Sequence, residues 1–178
     1  GNGKLFSLSE DGSEDWNVTL AQEIYTSSPA AFNGVVYVGS DSGKLHAVDS
    51  ITGEELWNAS VGGKVRGSPA LLEDVIAVTY ANYSGNSAVG GGVAAISYEG
   101  SLIWQTETNS SLTSPAITDD GIVSYSQEGL SLIDFDGNLL WNAKLPTQFT
   151  PGAPTAINGT VFSLTDAADG KLHALDDA

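Results

Sequence analysis

Short apolar and polar alternations, broken at close intervals by Gly, Asn, Asp or Pro, run the whole length of this 178-residue chain. Alternation of period two is the mark of half-buried β-strands, and nowhere does the 3.6-residue period of an amphipathic helix replace it, so almost no helix is expected. The clearest stretch is Gly43 to Trp57, GKLHAVDSITGEELW. It reads as a hairpin: extended runs at Leu45 to Val48 and Glu55 to Asn58, with Asp49 and Thr52-Gly53 forming the turn between them. Gly accepts positive φ there without steric cost, and Asp can accept hydrogen bonds from the backbone just ahead of it.

Copies of this stretch recur. Each unit opens on a proline motif, at Ser28-Pro29-Ala30, Ser68-Pro69-Ala70, Ser114-Pro115-Ala116 and Ala153-Pro154-Thr155, and closes near a tryptophan. Trp16, Trp57, Trp104 and Trp141 lie 41, 47 and 37 residues apart, and the prolines keep the same step. Asn33-Gly34 and Asn158-Gly159, each flanked by apolar alternation, are hairpin signals. Four short strands per unit of about 40 residues predict a β-propeller blade. The expected fold is therefore all-β, a propeller of about four blades of four antiparallel strands. Its predicted divisions are a partial blade at 1–20, blades at 21–61, 62–108 and 109–145, and a partial blade at 146–178. The first piece supplies the last two strands of a blade and the final piece the first three. A small closed ring is one outcome; an arc of a larger propeller, or a protomer pairing through open sheet edges, is the other.

The pattern Ala47-x-Asp49-x-x-x-Gly53-x-x-x-Trp57, preceded by Gly43-x-Leu45, resembles the repeat of pyrroloquinoline-quinone-type (PQQ-like) propellers. The resemblance spans the chain, although Ser9, Ser97 and Asp134 stand in shortened turns at the Asp position and the last copy stops at Asp176. It implies that Trp16, Trp57, Trp104 and Trp141 dock each blade against its neighbour. The quinone dehydrogenases of that family imply a calcium-held cofactor, a stacking tryptophan and often adjacent cysteines. This chain has no cysteine, its four tryptophans are taken up by blade docking, and it holds about half of the eight blades needed, so neither catalytic residue nor cofactor is assigned. Most non-catalytic relatives are interaction scaffolds, and the resemblance implies such a role here, although fold alone does not choose among such roles.

Charge narrows the partners. Against 22 acidic residues stand only 6 basic ones, a net charge of −16. Phosphate recognition needs Lys and Arg, so nucleic acid is excluded as a partner, as is an anionic membrane surface. No apolar run approaches the roughly 18 residues of a spanning helix, and no membrane insertion is expected. Without cysteine there is no disulfide, thiol nucleophile or thiolate metal site. Methionine is absent too, including at position 1, which predicts a processed product or an excised segment.

Several constellations carry candidate chemistry. Asp134, Asp136 and Asn138 alternate like calcium ligands, but they coincide with the hairpin turn of their unit and lack a completing Glu, so no metal site is assigned. His46 and His173 share one slot of two repeats and are expected on the blade surface. Arg66, the only arginine, is a candidate anion ligand near the axis or else a charge partner. The second full unit is longer than its neighbours through Tyr80 to Gly92, expected as a loop between its second and third strands, with Tyr80 and Tyr83 offered to a partner. Sequons at Asn17, Asn58, Asn82, Asn109 and Asn158 number five where composition predicts about two, each expected at a strand end or loop. The resulting reading is a non-enzymatic propeller of the cell surface or exterior, glycosylated, binding a protein partner or itself through open edges. A quinone- or calcium-dependent oxidoreductase and a glycan-binding propeller are the alternatives.

Overall fold

The computed structural model describes residues 2–20, 23–108, 113–126, 129–145, 152–164 and 172–176, and every regular element among them is a strand. Strands β1 (Lys4–Leu8) and β2 (Glu14–Thr19) form a two-stranded sheet. Three meanders of four follow. The first is β3 (Ala30–Phe32), β4 (Val35–Ser40), β5 (Lys44–Asp49) and β6 (Glu55–Ser60). The second is β7 (Ala70–Leu71), β8 (Val75–Ser84), β9 (Ser87–Ser97) and β10 (Leu102–Glu107). The third is β11 (Ala116–Ile117), β12 (Ile122–Ser126), β13 (Gly129–Ile133) and β14 (Leu139–Lys144). A three-stranded sheet of β15 (Thr155–Ile157), β16 (Thr160–Leu164) and β17 (Leu172–Asp176) ends the series.

The turns obey local chemistry. Asn33 and Gly34 have φ of 49° and 78°, and Asn158 and Gly159 repeat this with 49° and 71°. Two successive positive φ values are what a two-residue type I′ hairpin turn requires, and its twist matches the twist of the paired strands. Between β5 and β6, one Asp49 carboxylate oxygen accepts from the backbone of Ile51 (2.9 Å) and Thr52 (2.8 Å). A register shift falls just before the tryptophan-bearing strand in all four completed third-to-fourth strand pairings, for example between Ala47 and Val48. Such bulges re-aim a side chain, here the tryptophan toward the next blade.

Both faces of each central strand are covered. Tyr37, Leu45 and Ala47 of one blade pack on Ile76, Val78, Tyr80, Ala94 and Ile96 of the next. Ala77 and Val93, on the opposite face of that second blade, meet Ile122 and Ile133. Val123, Tyr125, Leu130 and Leu132 then meet Val161. The core is thus a series of apolar seams between consecutive blades. Among the described residues no strand pairing joins β1–β2 to β15–β17. Phe6 on the first sheet is 50% exposed and Leu172 on the last is 63% exposed. Among the described residues the sheets therefore form an open arc rather than a closed ring.

One expectation fails. The insertion at Tyr80 to Gly92 is not a loop: β8 and β9 run 10 and 11 residues and continue through it as a hairpin turning at Gly85-Asn86. Tyr80, Asn82 and Tyr83 on one arm lie opposite Gly92, Gly90 and Ala88 on the other, small residues that let the arms pair closely and extend the sheet rather than break it.

Candidate functional site

The hairpin extension brings the site together. Its backbone pairs with Lys64, whose N–H donates to the Ala81 carbonyl (2.8 Å) while Ala81 N–H donates back (3.0 Å). Val65 N–H is fixed to the Ser40 carbonyl (3.0 Å). These bonds hold Lys64 and Arg66 over Asp41, which directly follows β4. Arg66 donates from Nε to Asp41 Oδ1 (2.8 Å) and from Nη2 to Oδ2 (2.5 Å), and Lys64 Nζ donates to Oδ2 (3.0 Å). The Asp41 side chain is 6% exposed. Its guanidinium partner holds its carboxyl below the usual carboxylate range, with Lys64 adding to the effect and burial opposing it. The same pair pushes the Arg66 guanidinium further up.

Two aromatic rings frame this pair. Arg66 Cζ stands 4.7 Å from the ring centroid of Tyr25 and 5.6 Å from that of Tyr83, and Lys64 Nζ is 5.2 Å from Tyr83. The Arg66 carbonyl also accepts from Thr26 Oγ1 (3.0 Å). Tyr25 is 64% exposed. Two of the six basic residues thus meet one carboxylate, leaving a local excess of positive charge on a strongly acidic chain. Arginine paired bidentately and stacked on tyrosine is held in one orientation, and the Arg66 side chain is 20% exposed.

The segments leading into the inner strands are tied blade to blade by their serines. Ser28 N–H donates to Ser68 Oγ (3.0 Å), and Ser68 N–H donates to Ser114 Oγ (2.8 Å). On the outer side the indoles make the matching link. Trp16 Nε1 donates to the Ser50 carbonyl (3.2 Å), Trp57 Nε1 to that of Tyr98 (3.0 Å) and Trp104 Nε1 to that of Phe135 (2.9 Å). Each of these rings lies on the turn glycine of the following blade, Gly53, Gly100 or Gly137, so closely that an added Cβ would come within 2.7–2.8 Å. Trp141 packs beside Leu132 and Tyr125 at the next seam.

Other sequence candidates fall elsewhere. Arg66 is a charge partner whose acceptor, Asp41, carries the site with it. Tyr80 is only 3% exposed and belongs to the core, so it is not available to a partner; Tyr83 stays half-buried at the site. His46 is not on the blade surface. It is 2% exposed, with Nε2 bonded to Ser40 Oγ (2.9 Å) and Nδ1 to Glu55 Oε1 (2.7 Å). Ser40 is fully buried, so this Ser-His-Glu chain has no substrate access and is an internal polar tie. His173 is described only through its backbone in β17. Asp134 closes its turn by accepting from Asp136 N–H and Asn138 N–H. Among the described residues no group of three or more His, Cys, Asp or Glu is placed to share a metal ion. Asn17, Asn58 and Asn82 lie inside strands rather than at loops, Asn158 sits in its hairpin turn, and Asn109 lies outside the described residues. Asp41, Lys64 and Tyr25 had no motif of their own in the sequence. Their only signal was the pairing of scarce cations at Lys64-x-Arg66.

The family model described as outer membrane protein assembly factor BamB matches residues 1–90 and again 89–178. The chain belongs to this family of BamB-like repeat propellers. BamB of Nitrosomonas eutropha is 29% identical over 109 residues, which cover 61% of this chain and 25% of that protein. BamB of Burkholderia pseudomallei is 25% identical over 99 residues, 56% of this chain and 24% of that protein. The crystal structure of BamB from Moraxella catarrhalis superposes with a TM-score of 0.77 at 21% identity, covering 99% of this chain and 53% of that one. The chain thus matches about a quarter of the length of these curated relatives and about half of the solved structure. At that identity the structural likeness carries the propeller fold alone.

Proposed function

We propose that this BamB-like arc is a non-catalytic docking scaffold of the cell envelope or cell surface. Its partner is a protein that sets an acidic side chain against Arg66 and Lys64 and an apolar one against Tyr25. The observation that carries this reading is the exposed Tyr25 ring stacked on an arginine whose orientation is fixed by Asp41, whose side chain is 6% exposed. Tyr and Arg dominate the energetic centres of protein interfaces, since both offer large rigid area with polar tips. On a chain of charge −16 this cluster is where an acidic partner surface meets attraction instead of repulsion. The names of the relatives, factors of outer-membrane protein assembly, support a scaffold role among envelope proteins. Exposed Asn17, Asn58 and Asn158 support the finer reading of an extracellular glycoprotein.

A photocrosslinking residue at position 25, in the chain expressed in its own host, tests the docking reading. A discrete crosslinked protein is expected at position 25, absent when the same residue stands at exposed position 51 and lost when Arg66→Glu is added. Equal labelling from both positions would overturn the proposal.

A further inference from the structure

A groove of about 330 Å³ runs beside the hairpin extension, where Ser60 at the end of β6 faces Tyr80 and Asn82 of β8 and Gln105 and Glu107 of β10. Its size falls at the lower end of the roughly 300–1,000 Å³ usual for small-molecule clefts, but its lining is polar where most clefts are apolar. One of its polar groups is already used: Gln105 Nε2 donates to the Val61 carbonyl (2.8 Å). Three are not. Ser60 Oγ, the Asn82 amide and the Glu107 carboxylate have no hydrogen-bond partner among the described residues, and all line the same groove.

That set selects a ligand class. A carboxylate repels phosphate or sulfate. Walls in which Ser60, Asn82, Gln105 and Glu107 outnumber Val61 and the Tyr80 ring favour a polar ligand over a hydrocarbon. A hydroxyl, a primary amide and a carboxylate together present donors and acceptors side by side, which matches the neighbouring hydroxyls of a sugar ring, each of them donor and acceptor at once. We propose that this groove seats a saccharide ring held by Ser60, Asn82 and Glu107.

Two sources can supply that ring. Asn82-Tyr83-Ser84 is a sequon, and its Asn82 differs from the other strand sequons. Asn17 Nδ2 is tied to Glu14 (2.6 Å) and Asn58 Nδ2 to Glu55 (3.1 Å), whereas Asn82 stands half-buried and untied at the groove. A glycan on Asn82 would begin where the groove begins. The other source is a free or partner-borne glycan. The inference does not rest on the docking reading above.

The test has two arms. In the first, the unglycosylated 15N-labelled chain is titrated with N-acetylglucosamine and with methyl glucoside. Saturable shifts are expected at the Gly62 and Gln105 amides, with millimolar affinity that weakens roughly tenfold in Ser60→Ala/Glu107→Gln, whose dispersed spectrum shows an intact fold. In the second, peptides from the chain isolated from its own host are weighed for a sugar on Asn82. Shifts with Asn82 unoccupied assign the groove to an external glycan. An occupied Asn82 whose first sugar shows contacts to Ser60 and Glu107 assigns it to the chain's own glycan. No shifts together with a bare Asn82, or shifts that persist unchanged in the double variant, would overturn the proposal.

Discussion

The indole N–H of Trp57 donates to the carbonyl of Tyr98, 41 residues later and one blade along. That bond sits beside Gly100, whose φ of +87° places it where no Cβ fits against the ring. Tyr37 stands between the two blades, 5.8 Å from the Trp57 ring and 5.7 Å from that of Tyr98. The same clasp occurs from Trp16 to Gly53 and from Trp104 to Gly137, so the blades are fastened at their turns as well as along their apolar seams.

The clasp makes a prediction about glycine. At Gly12, φ is +85° but nothing lies within 4 Å of an added Cβ. Gly12→Ala should therefore cost only the left-handed strain, about 1–2 kcal/mol. Gly100→Ala adds a clash with Trp57 to the same strain and should cost about twice as much. Denaturant unfolding of both variants checks this; equal losses would show that the indole moves aside freely.

His46 should behave as a buried tie. His46→Ala leaves a cavity and strips a partner from Ser40 and from Glu55, so a loss of about 2–4 kcal/mol is expected. Glu55→Gln keeps an acceptor opposite Nδ1 and should cost about 1 kcal/mol or less. Urea midpoints of the two variants decide the matter.

Acid should find Asp41. Its folded pKa lies below its unfolded one, so its contribution to stability is complete above the unfolded value near pH 4 and is lost as pH falls through the folded value. Asp41→Asn should lower stability at pH 7 and flatten the acid limb of the stability profile. The variant and the parent should converge at the lowest pH. A difference that stays constant from pH 7 to pH 2 would contradict the assignment.

Salt acts in the opposite sense on the chain as a whole. With a net charge of −16, self-repulsion opposes the compact state, and screening relieves it over a Debye length of about 10 Å at 0.1 M. The melting temperature should rise as sodium chloride goes from low to molar concentration. The Arg66–Asp41 pair, partly shielded from solvent, should lose little of its contribution.

The repeat and its turns were legible in the sequence because they depend on local chemistry: Asn33-Gly34, Asp49 with Gly53, and the tryptophan spacing each act within a few residues or at a fixed period. The propeller of four-stranded sheets follows from those. The site was less legible because its members come from four separate segments. Tyr25, Asp41, Arg66 and Tyr83 meet only because the Tyr80 to Gly92 insertion pairs as a hairpin and reaches Lys64. Gly-rich composition there suggested a loop; the pairing of Gly90, Gly91 and Gly92 with Asn82, Ala81 and Tyr80 shows instead that small residues let the strands close. His46 shares its register slot with exposed Phe6. Its burial depends on the neighbouring sheet, which no local pattern reveals.

A charge-swap of Arg66 tests the docking account most directly. Once the protein crosslinked from position 25 is identified, Arg66→Glu should weaken the complex by at least about tenfold, the loss expected for one desolvated charge pair. Replacing the partner's facing carboxylate with arginine should restore it. An Arg66→Glu chain that binds the unaltered partner as tightly as the parent would contradict the account.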